Sequence, residues 1–557
     1  MFSSQRPIPM ARSEVTVSPI GSAGGHPPNN SADFGPDTPG TSTQGLAEAI
    51  AAGIASGKEV HVLSGTFVVN SIVTIGGPCT LRFDGSILQQ GPNNPGYCLD
   101  IAGAQDVLVL GTVRFVANPR ATQVCVRWMR STRVTWRAQT WVSQVPTGST
   151  WMQAIDCSDG LLEGPFHSSD SALIHLTNSS HMIVRNVSCT YASDPKYNII
   201  RADTMEGGTY SGILISEAYI DGGGLLDSTD NPYILVAAGA HPSAHPSDIT
   251  ISNCIVKNTK PSGTGPGGIV VLNVDRATVT NCVAVQMVFG FSFVGSYITC
   301  SNCIADHCWF PGFQVGDSLN QAYDWSDITL AGCLAYDCGA NGDQDYVRAG
   351  ISVQSTKGFT VRRITLAGCT SLDRGSKSQK FGLAVCDDRS AGVVREVNVL
   401  RCNLGGYLRP FYDGQSTPVG LALEHAGMSD STQPAVVGVD DRTGLTSADP
   451  APLGLYTVGP VDELLSVQAQ VVADAYSEGQ ITYVATYVDA ANRPRVSSVS
   501  VNQPIQREAA NLIRCKARSN VKAQVTSAGT GNRFSVTCVV TKVRNAPPPV
   551  PAATVPT

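Results

Sequence analysis

This chain of 557 residues is poor in charge, with only 15% Asp, Glu, Lys and Arg and a net charge of −6, so it carries no basic excess that would mark a nucleic-acid partner. It has no run of 18 apolar residues, which excludes a helical membrane span. Its start, Met1-Phe2-Ser3-Ser4-Gln5-Arg6-Pro7, lacks the apolar core of a secretion signal, so export without a signal peptide is expected, by lysis or as part of a particle. It has no Gly-x4-Gly-Lys-Ser/Thr block for a nucleotide. The 17 cysteines form no paired Cys-x-x-Cys motif of zinc-finger type: Cys300-x-x-Cys303 and Cys333-x4-Cys338 have neither a second pair nor a His at the usual offset. What is abundant is Gly, at 55 residues, with Val, Ile, Thr and Ser in short periodic runs, the composition of many short strands and tight turns.

Those runs repeat. An apolar residue stands five positions before a cysteine in Ile249 to Cys254, Ala277 to Cys282, Ile298 to Cys303, Ile328 to Cys333, Ile364 to Cys369 and Val397 to Cys402. Weaker copies, Met182 to Val187 and Ile213 to Ala218, extend the series upstream, with spacings from 21 to 36 residues. The shortest spacing approximates a bare coil, and the excess in the others is loop. A second strand recurs between the copies, opening at Gly268, Gly290, Gly312, Gly350, Gly382 and Gly420. Strands that repeat in one direction and stack about 4.8 Å apart are parallel and in register, so each coil has at least two faces. The six cysteines then form an inward ladder of small apolar side chains, as free Cys is among the most buried residue types. Cys308 and Cys338 fall on neighbouring coils, where a disulfide is allowed by position but not required.

The expected fold is therefore all-β: a parallel β-helix solenoid with an N-terminal capping helix, followed by a small antiparallel β-sandwich. Residues 1–30, rich in Pro, Ser and Gly, read as an arm for attachment, 31–430 as the β-helix, 431–452 as a linker, 453–544 as the sandwich and 545–557 as a Pro-rich tail. Strands are expected at Leu465 to Ala473, Ile481 to Asp489, Val496 to Val501, Val521 to Ser527 and Phe534 to Val543. From Arg493 to Arg544 this module holds ten basic residues against the single acid Glu508. A solvated basic face and a surface for an acidic glycan are both open readings. Its Cys515 and Cys538 could pair under oxidising conditions.

At the N-terminal end, Asp33-Phe34-Gly35 leads into Thr41-Ser42-Thr43-Gln44, whose spacing reads as a capping box for an Ala-rich helix that stops at Gly57. A short strand ending in Ser64-Gly65-Thr66-Phe67 follows. This order resembles the opening of the pectate-lyase-like right-handed parallel β-helices, where a helix plugs the first coil. The whole arrangement of arm, β-helix and small terminal module resembles bacteriophage tailspikes and related virion spikes. That resemblance implies a homotrimer on the virion surface, attached to other virion proteins through the arm and binding, often cutting, surface polysaccharide. It also leaves open a non-catalytic structural spike or receptor-binding protein, and more distantly a cellular carbohydrate-active enzyme.

Ladder offsets point to a site. Four positions past the ladder residue lie His307, Asp337 and Asp373, which would stack on consecutive coils. Neighbouring carboxylates raise one another's proton affinity, which is how a general acid is kept beside an ionised base, so Asp337 and Asp373 are the candidate catalytic pair of a polysaccharide depolymerase, hydrolase or lyase. His307, Trp309, Asp387 and the loop acids Asp343 and Asp345 with Arg348 are the candidate substrate-binding residues. The polygalacturonase blocks are absent except for Asp387-Asp388, and Asp343, Asp345 and Arg348 are only loosely like the calcium and arginine arrangement of pectate lyases. No cofactor is expected. Calcium would suit the acids, but no motif specifies it.

Overall fold

A computed structural model describes residues 14–19, 32–118, 125–143, 151–168, 174–190, 198–204, 208–223, 232–238, 245–258, 267–316, 324–340, 347–355, 359–387 and 393–413, and beyond them the backbone of strands at 422–424, 435–445, 453–457, 463–475, 481–488, 494–501, 507–515, 520–527 and 533–543. No described helix is long and apolar enough to cross a membrane. The chain divides into two compact units. One comprises Met1–Ile364, Thr370–Val394 and Leu404–Pro410, and the other Thr365–Cys369, Arg395–Asn403 and Phe411–Thr557.

Strands of the first kind wind into a 35-stranded parallel sheet, the right-handed parallel β-helix. Each coil has three faces. On the first, Ile249, Ala277, Ile298 and Ile328 are register partners in turn. On the second, Ile255, Val283, Ile304, Leu334 and Thr370 follow one another. On the third the series is Ile269, Phe291, Phe313, Ile351 and Leu383, with the Phe291 and Phe313 rings stacked at 4.8 Å. The alternation of apolar and polar residues in the strands sends one set of side chains into this core and the other outward.

The cysteine and glycine repeats have separate physical causes. Cys254, Cys282, Cys303, Cys333, Cys369 and Cys402 are all buried, as the inward ladder requires. The residue before each of the first five is Asn253, Asn281, Asn302, Gly332 or Gly368, with φ between 52° and 61°. That left-handed conformation turns the chain from the first face to the second, and Gly and Asn adopt it at least cost. The glycines that open the third-face strands permit close backbone approach: a Cβ on Gly268 would lie 2.1 Å from the Gly290 carbonyl oxygen, and one on Gly290 2.5 Å from that of Gly312.

At the N-terminal end, the helix Leu46–Ser56 buries Leu46, Ala49, Ile50 and Gly53 and stops at Gly57 in the left-handed conformation. Its start differs from a Thr41/Gln44 capping box. Gly45 is the cap residue, Thr43 Oγ1 accepts from the Ala47 N–H at 3.1 Å, and Gln44 Oε1 instead accepts from Val68 N–H at 2.7 Å. The stretch 1–30, read as an attachment arm, holds one described strand. Glu14–Val17 is a strand that pairs in parallel with Glu59–Val62, and its Val15 and Val17 are buried.

The second unit carries two four-stranded antiparallel sheets. One has the order Ala435–Leu445, Arg533–Val543, Glu463–Ala475, Arg507–Cys515; the other Leu453–Thr457, Asn520–Ser527, Ile481–Val488, Pro494–Val501. The stretch 431–452 is thus no plain linker, since Ala435–Leu445 is an edge strand of the first sheet. Cys515 faces Glu463, whereas Cys538 faces Ala469 from the other side of the same strand. Six residues of offset set these two backbone positions about 20 Å apart along the sheet, against the Cα separation of about 7 Å that a disulfide tolerates.

Candidate functional site

The turn that leaves the second face is where the expected residues converge. Asp306 and Tyr336 are consecutive outward partners on that face, and Tyr336 pairs with Leu372 on the next coil. The next residue in each coil closes the turn: the His307 N–H donates to the Tyr336 carbonyl at 2.9 Å, that of Asp337 to Leu372 at 3.1 Å and that of Asp373 to Gly405 at 3.0 Å. His307 and Asp337 adopt left-handed φ of 53° and 52° at this turn. His307, Asp337 and Asp373 are therefore stacked on consecutive coils.

Their electrostatic settings differ. The Asp337 side chain is only 3% exposed. Burial pushes its proton affinity up, but the Arg374 N–H and guanidinium and the Ser376 hydroxyl more than offset this and hold the carboxyl below its ordinary range. Arg374 N–H reaches Oδ1 at 2.7 Å, Arg374 Nε reaches Oδ2 at 2.6 Å and Ser376 Oγ reaches Oδ1 at 2.9 Å. Asp373 is tied to its own loop: Oδ1 accepts from the Gly375 and Lys377 N–H groups at 2.8 and 3.1 Å, and Oδ2 from that of Gln379 at 3.0 Å. Ser376 Oγ also lies 3.2 Å from Asp373 Oδ2 and so bridges the two carboxylates. The outer rim consists of His307, 47% exposed with Nδ1 2.9 Å from Asp306 Oδ1, and Arg374, whose guanidinium lies over the Tyr336 ring at 4.6 Å and also donates to Asp306.

Asp306, His307 and Asp337 present ligand atoms within 4.8 Å of one another, close enough to embrace a cation. Arg374 already places its guanidinium against both acids, so a metal would have to displace it. Arg374, Ser376 and Asp306 are the members of this site that the ladder offsets do not reveal. The only signal for Arg374 and Ser376 is the run Asp373-Arg374-Gly375-Ser376, a short polar loop directly after a ladder strand, and that for Asp306 is its place just before His307.

The other candidates lie elsewhere or beyond description. Trp309 is half-buried and its backbone N–H donates to the Met287 carbonyl at 2.9 Å. Arg348 reaches the Tyr407 hydroxyl with a guanidinium N–H at 3.2 Å. Asp387 ends a third-face strand opposite Ser355, on a different face from Asp337. Asp343 and Asp345 fall outside the described residues. Cys308 and Cys338 are both buried free thiols.

No curated protein matches the sequence. Similar solved structures include the tailspike of Pseudomonas phage phi297, at 11% identity over 91% of this chain and 94% of that one with a TM-score of 0.40. The tailspike of E. coli bacteriophage HK620, solved with a hexasaccharide, is 11% identical over 92% of this chain and 94% of that one, with a TM-score of 0.43. PfbA, a surface adhesin of Streptococcus pneumoniae, is 14% identical over 71% and 93% of the two chains, at 0.40. Residues 237–408, the stretch that carries the cysteine and glycine ladders, match the family described as the right-handed β-helix region.

Proposed function

We propose that this chain is a tailspike-type spike protein that binds surface polysaccharide at the Asp306, His307, Tyr336 and Arg374 rim. The observation that carries this reading is the rim itself: an aromatic ring, a guanidinium, an imidazole and a carboxylate set side by side on coils whose backbone is locked by the parallel ladder. Sugars are held by this combination of a flat apolar surface and convergent charged hydrogen-bonding groups. In the same reading the chain is a homotrimer with parallel solenoid axes, displayed on a virion and joined to other virion proteins through its N-terminal residues, and its two antiparallel sheets, which take in Ala435–Leu445 as well as strands of 453–544, close as a sandwich.

Binding is favoured over cutting because Asp337 and Asp373 spend their oxygens on Arg374, Ser376 and loop N–H groups. One observation favours the depolymerase alternative. The Ser376 hydroxyl lies 2.9 Å from an oxygen of one carboxylate and 3.2 Å from an oxygen of the other, close enough together for a paired-carboxyl mechanism of the kind glycoside hydrolysis uses. Incubation with host capsule and O-antigen separates the two. Retained glycan with no fragments is the expected result. Fragment release that falls by orders of magnitude in both Asp337→Asn and Asp373→Asn would establish the acid and base pair instead. Absence of any glycan binding, or binding undiminished in Arg374→Ala, would reject the proposal.

A further inference from the structure

The second face carries a different surface in its N-terminal coils. No Asp or Glu stands between Asp106 and Asp156, whereas six arginines do. One outward row of the second face here is Arg114, Trp141 and His167, register partners on consecutive coils. The Trp141 and His167 rings are stacked at 5.4 Å with 23° between their planes. Rings stacked along the coil axis turn their electropositive edges outward. The Arg114 guanidinium donates to the Ser143 hydroxyl at 3.3 Å, and among the described residues no carboxylate pairs with it. Where the chain turns into this face, the single carboxylate of Glu163 serves two arginines. Arg137 Nε lies 2.8 Å from Oε2, Arg185 donates to Oε1, and Arg185 Nε is buried with no hydrogen-bond partner. Three guanidiniums thus share one carboxylate, and the second-face stretches 112–116, 139–143, 166–168 and 188–190 hold no acid at all.

We infer that this surface is a second binding site, one for the carboxylate-bearing sugars of an acidic polysaccharide. The inference rests on the glycan reading above and adds the charge of the polymer and a second place that holds it. Three features select this ligand. An excess of guanidinium, with a buried Nε left unpaired, suits an anion whose two oxygens bond a guanidinium in parallel, as a carboxylate does. The stacked rings, with Gln139 and Ser143 as the outward residues on either side of Trp141, supply the apolar shelf and the neutral hydrogen-bonding groups that a sugar ring meets. The charge density fits as well. Three guanidiniums against one carboxylate match a polymer charged once per repeat, whereas a nucleic acid with a phosphate on every nucleotide would meet a chain of net charge −6. Trp141 lies six register steps from Ile304, about 29 Å along the same face, so one extended polymer can engage both this surface and the rim beside Asp306.

The test is binding of the full chain to a panel of purified bacterial capsular polysaccharides, acidic and neutral, with single-stranded DNA as a further member, followed by tryptophan fluorescence. Of the six tryptophans Trp128, Trp136, Trp151 and Trp325 are buried, so a ligand can touch only Trp141 and Trp309. The expected result is binding to an acidic member, with a fluorescence change that Trp141→Phe abolishes. Reducing the polymer's carboxyls to alcohols should weaken it at least tenfold, and raising salt from about 50 to about 500 mM should weaken it too. Arg114→Gln and Trp141→Ala should each weaken it at least tenfold with circular dichroism unchanged, whereas Arg130→Gln, on a side chain 73% exposed at the turn out of the third face, should leave it unchanged. If Trp141→Ala fails to fold, Arg114→Gln and Trp141→Phe carry the test. Binding confined to neutral glycans, tighter binding of the DNA, or acidic-glycan binding that these variants leave intact overturns this site; where Arg374→Ala still weakens glycan binding, the rim reading stands. Binding of no glycan at all overturns both readings.

Discussion

Arg363 and Asp327, on consecutive coils, form a two-pronged ion pair in which Nε and a terminal guanidinium nitrogen each lie 2.7 Å from a carboxylate oxygen. Both residues adopt left-handed φ, 54° and 62°, where the chain enters the first face. The same position holds Asp248 with Arg276 and Asp106 with Arg133, each pair two-pronged and each in the same conformation. The coil edge is thus stitched by arginines reaching back one coil. Because the left-handed residues lie within the strands themselves, each ion pair ties one coil to the next at a point where the strand's conformation is interrupted.

Acid is expected to undo this edge first. The hydrogen bonds from Arg276 and Arg363 hold Asp248 and Asp327 down at about 2. An unfolded Asp titrates near about 3.9, so the native state binds fewer protons than the unfolded chain between these values. The stabilisation is therefore complete above about pH 4 and is lost as pH falls towards about 2. Melting temperature followed from pH 7 to 2 should hold steady and then drop within that window. In Arg276→Ala with Arg363→Ala the drop should be shallower, because less is left to lose. An equally steep drop would show that other carboxylates control it.

The thiols are expected to be silent in the native protein. From Cys79 to Cys402 every described cysteine keeps its thiol outside any disulfide, and all but Cys386 are buried. Burial also pushes thiols such as Cys125 and Cys300 up, away from the reactive thiolate. Maleimide labelling with mass mapping should mark Cys386 first among the described thiols and leave Cys254, Cys282, Cys333 and Cys369 unmodified until denaturant is added. Rapid native labelling of several ladder thiols would mean that the coils open.

The repeat of Ile249, Ala277, Ile298 and Ile328 before their cysteines was legible because a parallel solenoid imposes the same environment on the same offset in every coil. The stacking of His307, Asp337 and Asp373 followed from that offset alone. Arg374 was not legible, since it reaches Asp337 and Asp306 across 37 and 68 residues, and such reach depends on the path of a loop that does not repeat. The strand Ala435–Leu445 escaped for a related reason. Its partner Arg533–Val543 lies about a hundred residues on, and Asp440-Asp441-Arg442 within it reads as a turn rather than a strand. The helix start shows the same limit, because Gln44 is drawn off to Val68 by tertiary contact.

The glycine ladder predicts sharply different outcomes for one substitution. Gly290→Ala would press a methyl to 2.5 Å from the Gly312 carbonyl oxygen inside the stack, and the coils cannot part at one point without breaking register. A loss of about 3 kcal/mol or more, seen as insoluble protein or a lowered melting temperature, is expected. Gly76→Ala meets nothing within 4 Å and has no left-handed φ, so it should be within about 0.5 kcal/mol of the parent. Equal tolerance of both would show that the third-face strands are not in van der Waals contact as described.

Asp337 and Arg374 supply the last prediction, which concerns what the buried carboxylate is for. If it serves to latch the 373–379 loop onto the preceding coil, its energy is shared with Arg374 and Ser376. Removing either partner of a charged hydrogen-bonded pair costs about 2 to 3 kcal/mol, and removing both costs little more than removing the costlier one. Arg374→Ala and Asp337→Ala should each lower the melting temperature, and the double variant should melt close to Asp337→Ala rather than at the sum of the two drops. Glycan binding separates the roles of the pair: Arg374→Ala removes the guanidinium over Tyr336 and should lose affinity even where the fold persists, whereas Asp337→Asn keeps the side chain's shape and should lose less. Strictly additive melting shifts would show that the two residues act independently and that the loop is held by Asp373 and its N–H donors alone.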